Sequence, residues 1–169
     1  MAGGRIAIWG VVVVAVVAGA ALWLYSRPDT SAEIGSTTVE ASIGALESGS
    51  MERRRKACTD LIEAGPKGAG AAAAVRRLLA EEKDEEMRLY LGAALCSVSG
   101  DPADHVEKLR AALRSPDTER RQLAASLLWK LGDIAASVTP DLIAASKDED
   151  LEVRWRAARA LQTVHEPAD

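Results

Sequence analysis

The chain has 169 residues and a formal net charge of −4; all 25 acidic residues, and all but two of the 21 basic ones, lie beyond residue 27. That length suits one modest domain plus an attachment, and the acidic balance argues against phosphate-driven nucleic-acid binding, which shows a basic excess. Two cysteines, Cys58 and Cys96, are too few for a disulfide scaffold and lack zinc-ligand spacing, while abundant Ala and the absence of Phe favour close-packed helices over a sheet.

The first element is the uncharged run Ile6 to Tyr25, "IAIWGVVVVAVVAGAALWLY". Twenty residues of helix span roughly 30 Å, enough to cross a hydrocarbon core. Arg5 and Arg27 bracket the run, and Trp9, Trp23 and Tyr25 stand near its ends, where aromatic belts form. A cleaved signal peptide with Ala18–Ala20 as processing site is the rival reading. The length of the run and the apolar Leu22–Tyr25 directly after that site favour an uncleaved, single-pass anchor over residues 1–27. A short basic N-tail that stays in the cytoplasm would place the rest of the chain outside, although Arg5 and Arg27 nearly balance. Residues 28–38, with Pro, Ser, Thr, Gly and acids, have linker composition.

From residue 39 onward the sequence repeats itself. Ser50-Met51-Glu52-Arg53-Arg54, Asp84 to Arg88, Asp117 to Arg121 and Asp150 to Arg154 all read [Ser/Asp]-x-Glu-x-Arg, at spacings of 34, 33 and 33. Small or apolar residues follow each Arg: Ala57, Cys58 and Leu61; Leu91, Gly92 and Leu95; Ala124, Ala125 and Leu128; Ala157, Ala158 and Leu161. A period of this length means a stacked array. The first position predicts a helix N-cap and the Glu favours the positive end of the helix dipole. Arg121 and Arg154 are expected to be ordered by Asp117 and Asp150, or by an acid of the adjacent unit. A second helix follows in each unit, around Val75, Leu109 and Leu142, and Gly65, Gly100 and Gly132 punctuate the turns. Val39, Ile43 and Leu46 suggest one leading helix. Gly68, Gly70 and Ala71–Ala74 predict a thin, loosely packed second helix in the first unit.

Over about residues 50–164, "RRQLAASLLWKLGD" and "VTPDLIAASKDEDLEVRWRAARAL" above all, the chain resembles the HEAT-like repeat family in its short bacterial form. The resemblance implies an all-α fold over residues 39–169: a short right-handed α-solenoid of antiparallel helix pairs, about 3.5 repeats, behind the N-terminal transmembrane helix. It implies protein or peptide recognition far more often than catalysis. A monomer or weak homodimer is expected, with no cofactor. The alternative is a small accessory chain to a cofactor- or protein-modifying enzyme, as lyases similar to this family are, but the convergent polar groups of such a site are not found.

No catalytic or metal-binding set emerges. His165-Glu166 is similar to one His-Glu pair of the di-iron hydroxylases built on such repeats, yet one pair cannot form that centre. His105 is expected on the surface. Glu81, Glu82, Asp84, Glu85 and Glu86 read as a solvated capping cluster, because consecutive acids at a turn diverge. Cys58 and Cys96, on neighbouring first helices, read as buried apolar thiols, with a bridge conceivable only outside the cytoplasm.

Partner-binding candidates come from two places. Arg76 with Arg110, and Arg114 with Lys147, recur at matching positions on successive second helices, which in this family line the concave face. They form either a basic strip for an acidic peptide or solubilising charge. On the last helix Val153, Ala157, Leu161 and Val164 share a face, while Trp155 falls about 140° away beside Arg159. Trp129 occupies the same azimuth one unit earlier. Trp155 either packs against the preceding first helix or faces the flank where a fifth unit would stand, as an anchor for a partner.

Overall fold

The computed structural model describes residues 39–100 and 103–165. The proposed anchor at Ile6–Tyr25, the linker and Glu166 lie outside the described residues. Among the described residues there are no strands, and no helix is long and apolar enough to cross a membrane.

Residues 39–46 form α1. Then come α2 (Met51–Ala64), a 3-10 helix over Gly65–Ala71, α3 (Ala72–Glu81), α4 (Glu85–Ser99), α5 (Ala103–Leu113), α6 (Thr118–Leu131), a second 3-10 helix over Gly132–Val138, α7 (Thr139–Ala145) and α8 (Leu151–His165). The first helices are α2, α4, α6 and α8, and each starts where the repeat places a cap. Ser50 accepts from the Arg53 amide, Asp84 from Met87, Asp117 from Glu119 and Asp150 from Val153, which satisfies backbone donors the helix itself leaves orphaned. Their ends are set by glycine. Gly65, Gly100 and Gly132 have φ of 56°, 67° and 55°, a region closed to most L-residues. The 3-10 segments Gly65–Ala71 and Gly132–Val138 went unread in the sequence, where each glycine marked only a turn.

First helices pack in sequence, α2 on α4, α4 on α6 and α6 on α8, and each second helix leans on the following first helix: α3 on α4, α5 on α6, α7 on α8. The units are therefore stapled to their successors by both layers. Leu61, Leu91, Leu128, Leu142 and Val153 are among the fully buried side chains of the shared core. Leu46 of α1 joins the same core, as the leading-helix reading expects.

Helix α4 is enclosed. Every residue from Leu91 to Val98 is buried, and so is Leu89. Its Leu89, Ala93 and Cys96 stripe carries small side chains toward its C-terminal end, so the flanking helices close over it. At that end Lys130 Nζ of α6 reaches Glu63 Oε1 of α2 at 2.8 Å, bridging the first and third units past α4. Cys58 and Cys96 are buried thiols, and burial, opposed only in part by the Arg54 charge, pushes the Cys58 thiol up to about 12. The expected loose packing of the first second-helix region is corrected at Gly68. A Cβ there would sit 2.9 Å from Val98 Cγ1, so glycine is what lets the 3-10 turn press onto α4. His105 is also corrected: it is half-buried, lying over Gly92, rather than a solvent residue.

The repeated Arg forms a rung between units. Arg121 is 7 % exposed. Its Nη1 donates backward to the Ser115 and Pro116 carbonyls at 3.1 Å each, while Nε and Nη2 grip Asp148 of the next unit at 2.9 and 3.0 Å. Arg54 does the same, donating to the Leu46 carbonyl at 3.2 Å and pairing with Glu82. The adjacent-unit acid is thus the partner of Arg121, while Asp117 is spent on its cap. Arg88 makes only the backward half, to the Glu82 carbonyl at 3.0 Å, because Ser115 stands where a carboxylate would complete the rung. A cleft of about 310 Å³ opens at that junction, between the N-terminal turns of α4 and α6.

Three outcomes follow from this packing. Leu128→Ala, which empties a fully buried site, should cost about 2–5 kcal/mol in denaturant unfolding. Arg121→Lys and Asp148→Asn should each lower Tm, and the double variant should be little worse than either single one, because each single change already breaks the bidentate rung. The third concerns pH. Burial pushes the Asp148 carboxyl up, but hydrogen bonds from Arg121 and the Asp150 amide outweigh it and hold it below the usual carboxylate range. The Asp84 amide first, then Arg54 against burial, lowers Glu82. The Gln122 amide and the Val153 backbone N–H lower Asp150. Depressed folded-state values give stability that is present above the unfolded carboxylate pKa of about 4 and lost as pH falls through the folded values. Tm should therefore hold between neutral pH and about pH 5 and fall below about pH 4, with Asp148→Asn flattening part of that fall.

Candidate interaction surface

Helix α8 delivers Trp155 and Arg159 one turn apart, on the side of the helix that packs on α6. Arg156 Nη1 of the same helix donates to the Gln122 carbonyl of α6 at 3.2 Å, which fixes the facing of that side. Trp155 meets Trp129 of α6 edge to face, with ring centroids 6.3 Å apart and an interplanar angle of 70°. The guanidinium carbon of Arg159 lies 4.3 Å from the Trp129 ring centroid and 4.9 Å from that of Trp155. Of the two flanks open to Trp155, the structure chooses the preceding helix. The indole still leaves 49 % of its surface in solvent.

These three residues form one surface unit. Both indoles supply apolar area at low rotamer cost, and their ring faces hold the cation by cation–π attraction, worth about 0.5–2 kcal/mol per contact. Arg159 is exposed, and no carboxylate among the described residues pairs with it.

The second-helix arginines are arranged differently from a free basic strip. Arg114 Nε donates to Asp141 Oδ1 at 2.8 Å. Arg110 Nε lies 3.1 Å from Asp141 Oδ2, as an ion pair but poorly aligned for a hydrogen bond, while its Nη2 donates to the Ser137 carbonyl at 2.6 Å. Asp141 of the next unit is thus a clamp on both. Arg76 and Lys147 are exposed, so the four cations split into a clamped pair and two solvent-facing ones. Asp141 was missed in the sequence, although its spacing of 27 residues from Arg114 is the same as that of Asp148 from Arg121.

Four of the five acids of the acidic run are engaged in the structure of the array, and Glu81 is exposed. Asp84 caps α4, Glu82 pairs with Arg54, Glu86 with Arg55 at 2.9 Å and Glu85 with Arg120 at 3.2 Å. Among the described residues no group of three or more His, Cys, Asp or Glu side chains is placed to hold a metal ion.

No curated protein matches the chain. Residues 106–169 match a family model described as HEAT repeats, so the part of the chain similar to HEAT repeats is the part that carries the Trp129–Arg159–Trp155 surface, the Asp141 clamp and the Arg121–Asp148 rung.

Proposed function

We propose that the chain is a membrane-tethered, non-catalytic protein-interaction module: a right-handed solenoid of about 3.5 HEAT-like repeats, held by an anchor at Ile6–Tyr25 on the extracytoplasmic side. The observation that carries the recognition role is the half-exposed Trp155, locked edge to face on Trp129 with Arg159 stacked on both rings. An aromatic pair held in place before binding loses little rotamer freedom when a partner covers it, which is how Trp and Arg come to dominate binding energy at interfaces. The similarity of residues 106–169 to HEAT repeats, which typically bind protein partners, supports the same reading. An uncharged run of 20 residues supports the tether.

The full chain in detergent extract should retain a protein partner that a bait of residues 1–38 does not. Trp155→Ala and Arg159→Ala should each reduce that capture severalfold while lowering Tm by only several degrees, since Trp155 lies outside the core and exposed cation–π contacts are worth about 0.5–1 kcal/mol each. A large fall in Tm would make Trp155 a structural residue, and capture equal to that of the short bait would end the proposal. Topology is read separately. A reporter active only outside the cytoplasm, fused after Asp169, should be active, and intact mass should retain Ile6–Tyr25.

A further inference from the structure

Helices α4, α6 and α8 each start behind a loop whose residue two places before the cap holds a fixed repeat position: Glu82 before Asp84, Ser115 before Asp117, Asp148 before Asp150. All three turn the loop in the same way. The Asp84 amide donates to Glu82 Oε1 at 2.9 Å, the Asp150 amide to Asp148 Oδ1 at 2.9 Å and the Asp117 amide to Ser115 Oγ at 3.2 Å. Glu82 and Asp148 do a second thing that Ser115 does not. Their carboxylates cover the forward edge of the arginine one unit back, Arg54 and Arg121 respectively.

Arg88, in the middle of the array, is the arginine whose register falls on Ser115. Its Nη1 donates to the Glu82 carbonyl at 3.0 Å, as Arg121 Nη1 does to the Ser115 carbonyl at 3.1 Å. Its Nε and Nη2 belong to the edge with which Arg121 grips Asp148, and they have no partner among the described residues. Arg121 also draws a second acid, Glu149 at 3.3 Å, and Pro116 holds that repeat position before α6. The two acids that cover Arg121 are thus replaced by Ser115 and Pro116 across from Arg88. Serine, the shorter side chain, stops short of the place that a carboxylate takes at the other two junctions.

What stands there is a set of donors. A hydroxyl that accepts from the Asp117 amide keeps its own proton to donate, whereas a carboxylate only accepts. Arg88 adds the N–H groups of a planar fork. Both residues are half-buried, and Ser115 lines an open groove of about 480 Å³ beside Arg114, so solvent reaches the junction. Two N–H donors and one O–H donor suit a tetrahedral oxyanion, which offers one oxygen to each; a carboxylate has only two oxygens. The surrounding acids do not forbid a negative charge. Asp84 and Asp117 hold here the repeat positions that Asp117 and Asp150 hold around Asp148. There, against burial, hydrogen bonds from Arg121 and the Asp150 amide keep the Asp148 carboxyl below the usual range.

We infer that Arg88 and Ser115 form a phosphate-binding site between α4 and α6. A phosphate dianion, free or as a phosphomonoester headgroup, seats two oxygens on the Arg88 fork and a third on the Ser115 hydroxyl. It completes for Arg88 the rung that Asp148 and Glu149 complete for Arg121. The site is separate from the tryptophan surface and does not rest on the interaction-module reading.

The test titrates inorganic phosphate into the full chain in detergent micelles at constant ionic strength, with the Arg88 side-chain N–H signal followed by NMR. A saturable shift of that signal and a rise in Tm are expected, with acetate binding roughly tenfold more weakly. Ser115→Asp builds the carboxylate into the chain, so it should raise Tm without ligand and abolish the phosphate shift. Arg88→Gln should lose the phosphate-dependent rise in Tm. Should that variant weaken the fold, Ser115→Ala, which removes one donor and little volume, should weaken binding roughly tenfold with the helical circular dichroism intact. Trp155→Ala should respond as wild type does. A response to free phosphate assigns a soluble source, and a response only when phosphatidic acid is doped into the micelles assigns a headgroup. No saturable shift with either up to about 10 mM, acetate binding as tightly as phosphate, or a phosphate shift that survives in Ser115→Asp would each overturn the inference.

Discussion

Everything in the array hangs on a guanidinium that looks both ways. Arg121 ties the loop behind it, through the Ser115 and Pro116 carbonyls, to the acid of the unit ahead, Asp148. A carbonyl at a loop between helices has no backbone donor of its own, and a nearly buried carboxylate needs a fixed cation. One planar fork of donors answers both needs, which lysine with its single compact ammonium does not. The hydrophobic core supplies the bulk of the burial, but leucines packed on leucines tolerate sliding. The rung fixes the register at which one unit meets the next. Where the rung is half made, at Arg88, the helices α4 and α6 part into a cleft at their N-terminal turns and are held there by the more exposed Arg120–Glu85 pair.

The same device shapes the surface available to partners. Inter-unit pairing draws Arg110 and Arg114 onto Asp141, so two of the four charges that look like a recognition strip in one dimension hold the array, while Arg76 and Lys147 stay exposed. What stays outside this pairing is two tryptophans and an arginine on the first-helix layer, the surface on which the proposed recognition role rests.

Much of this was legible in the sequence because the repeat fixes local chemistry. The caps at Ser50, Asp84, Asp117 and Asp150, the terminating glycines and the buried Leu61, Leu95 and Leu128 follow from residue type and position within one unit. The partners across units did not follow as easily. Arg121 has Asp117, Asp148, Glu149 and Asp150 within reach of one turn or one repeat, and only the path of the loop decides among them. Gly68 read as a weak point because a missing side chain suggests a gap; its meaning changes once Val98 is seen 2.9 Å from where a Cβ would be. Trp155 was ambiguous for a related reason, since helical projection gives an azimuth and not the neighbour that lies along it.

The Glu63–Lys130 bridge changes how the array should respond as a whole. Linear repeat proteins are described by an intrinsic term for each unit and a coupling between neighbours, so that removing one unit subtracts a fixed amount. Here the first and third units touch past an α4 that is enclosed over most of its length, which adds a coupling between second neighbours. An ion pair this exposed adds at most about 1 kcal/mol, yet it acts against graded unzipping from one end, because opening the first unit also breaks a contact to the third.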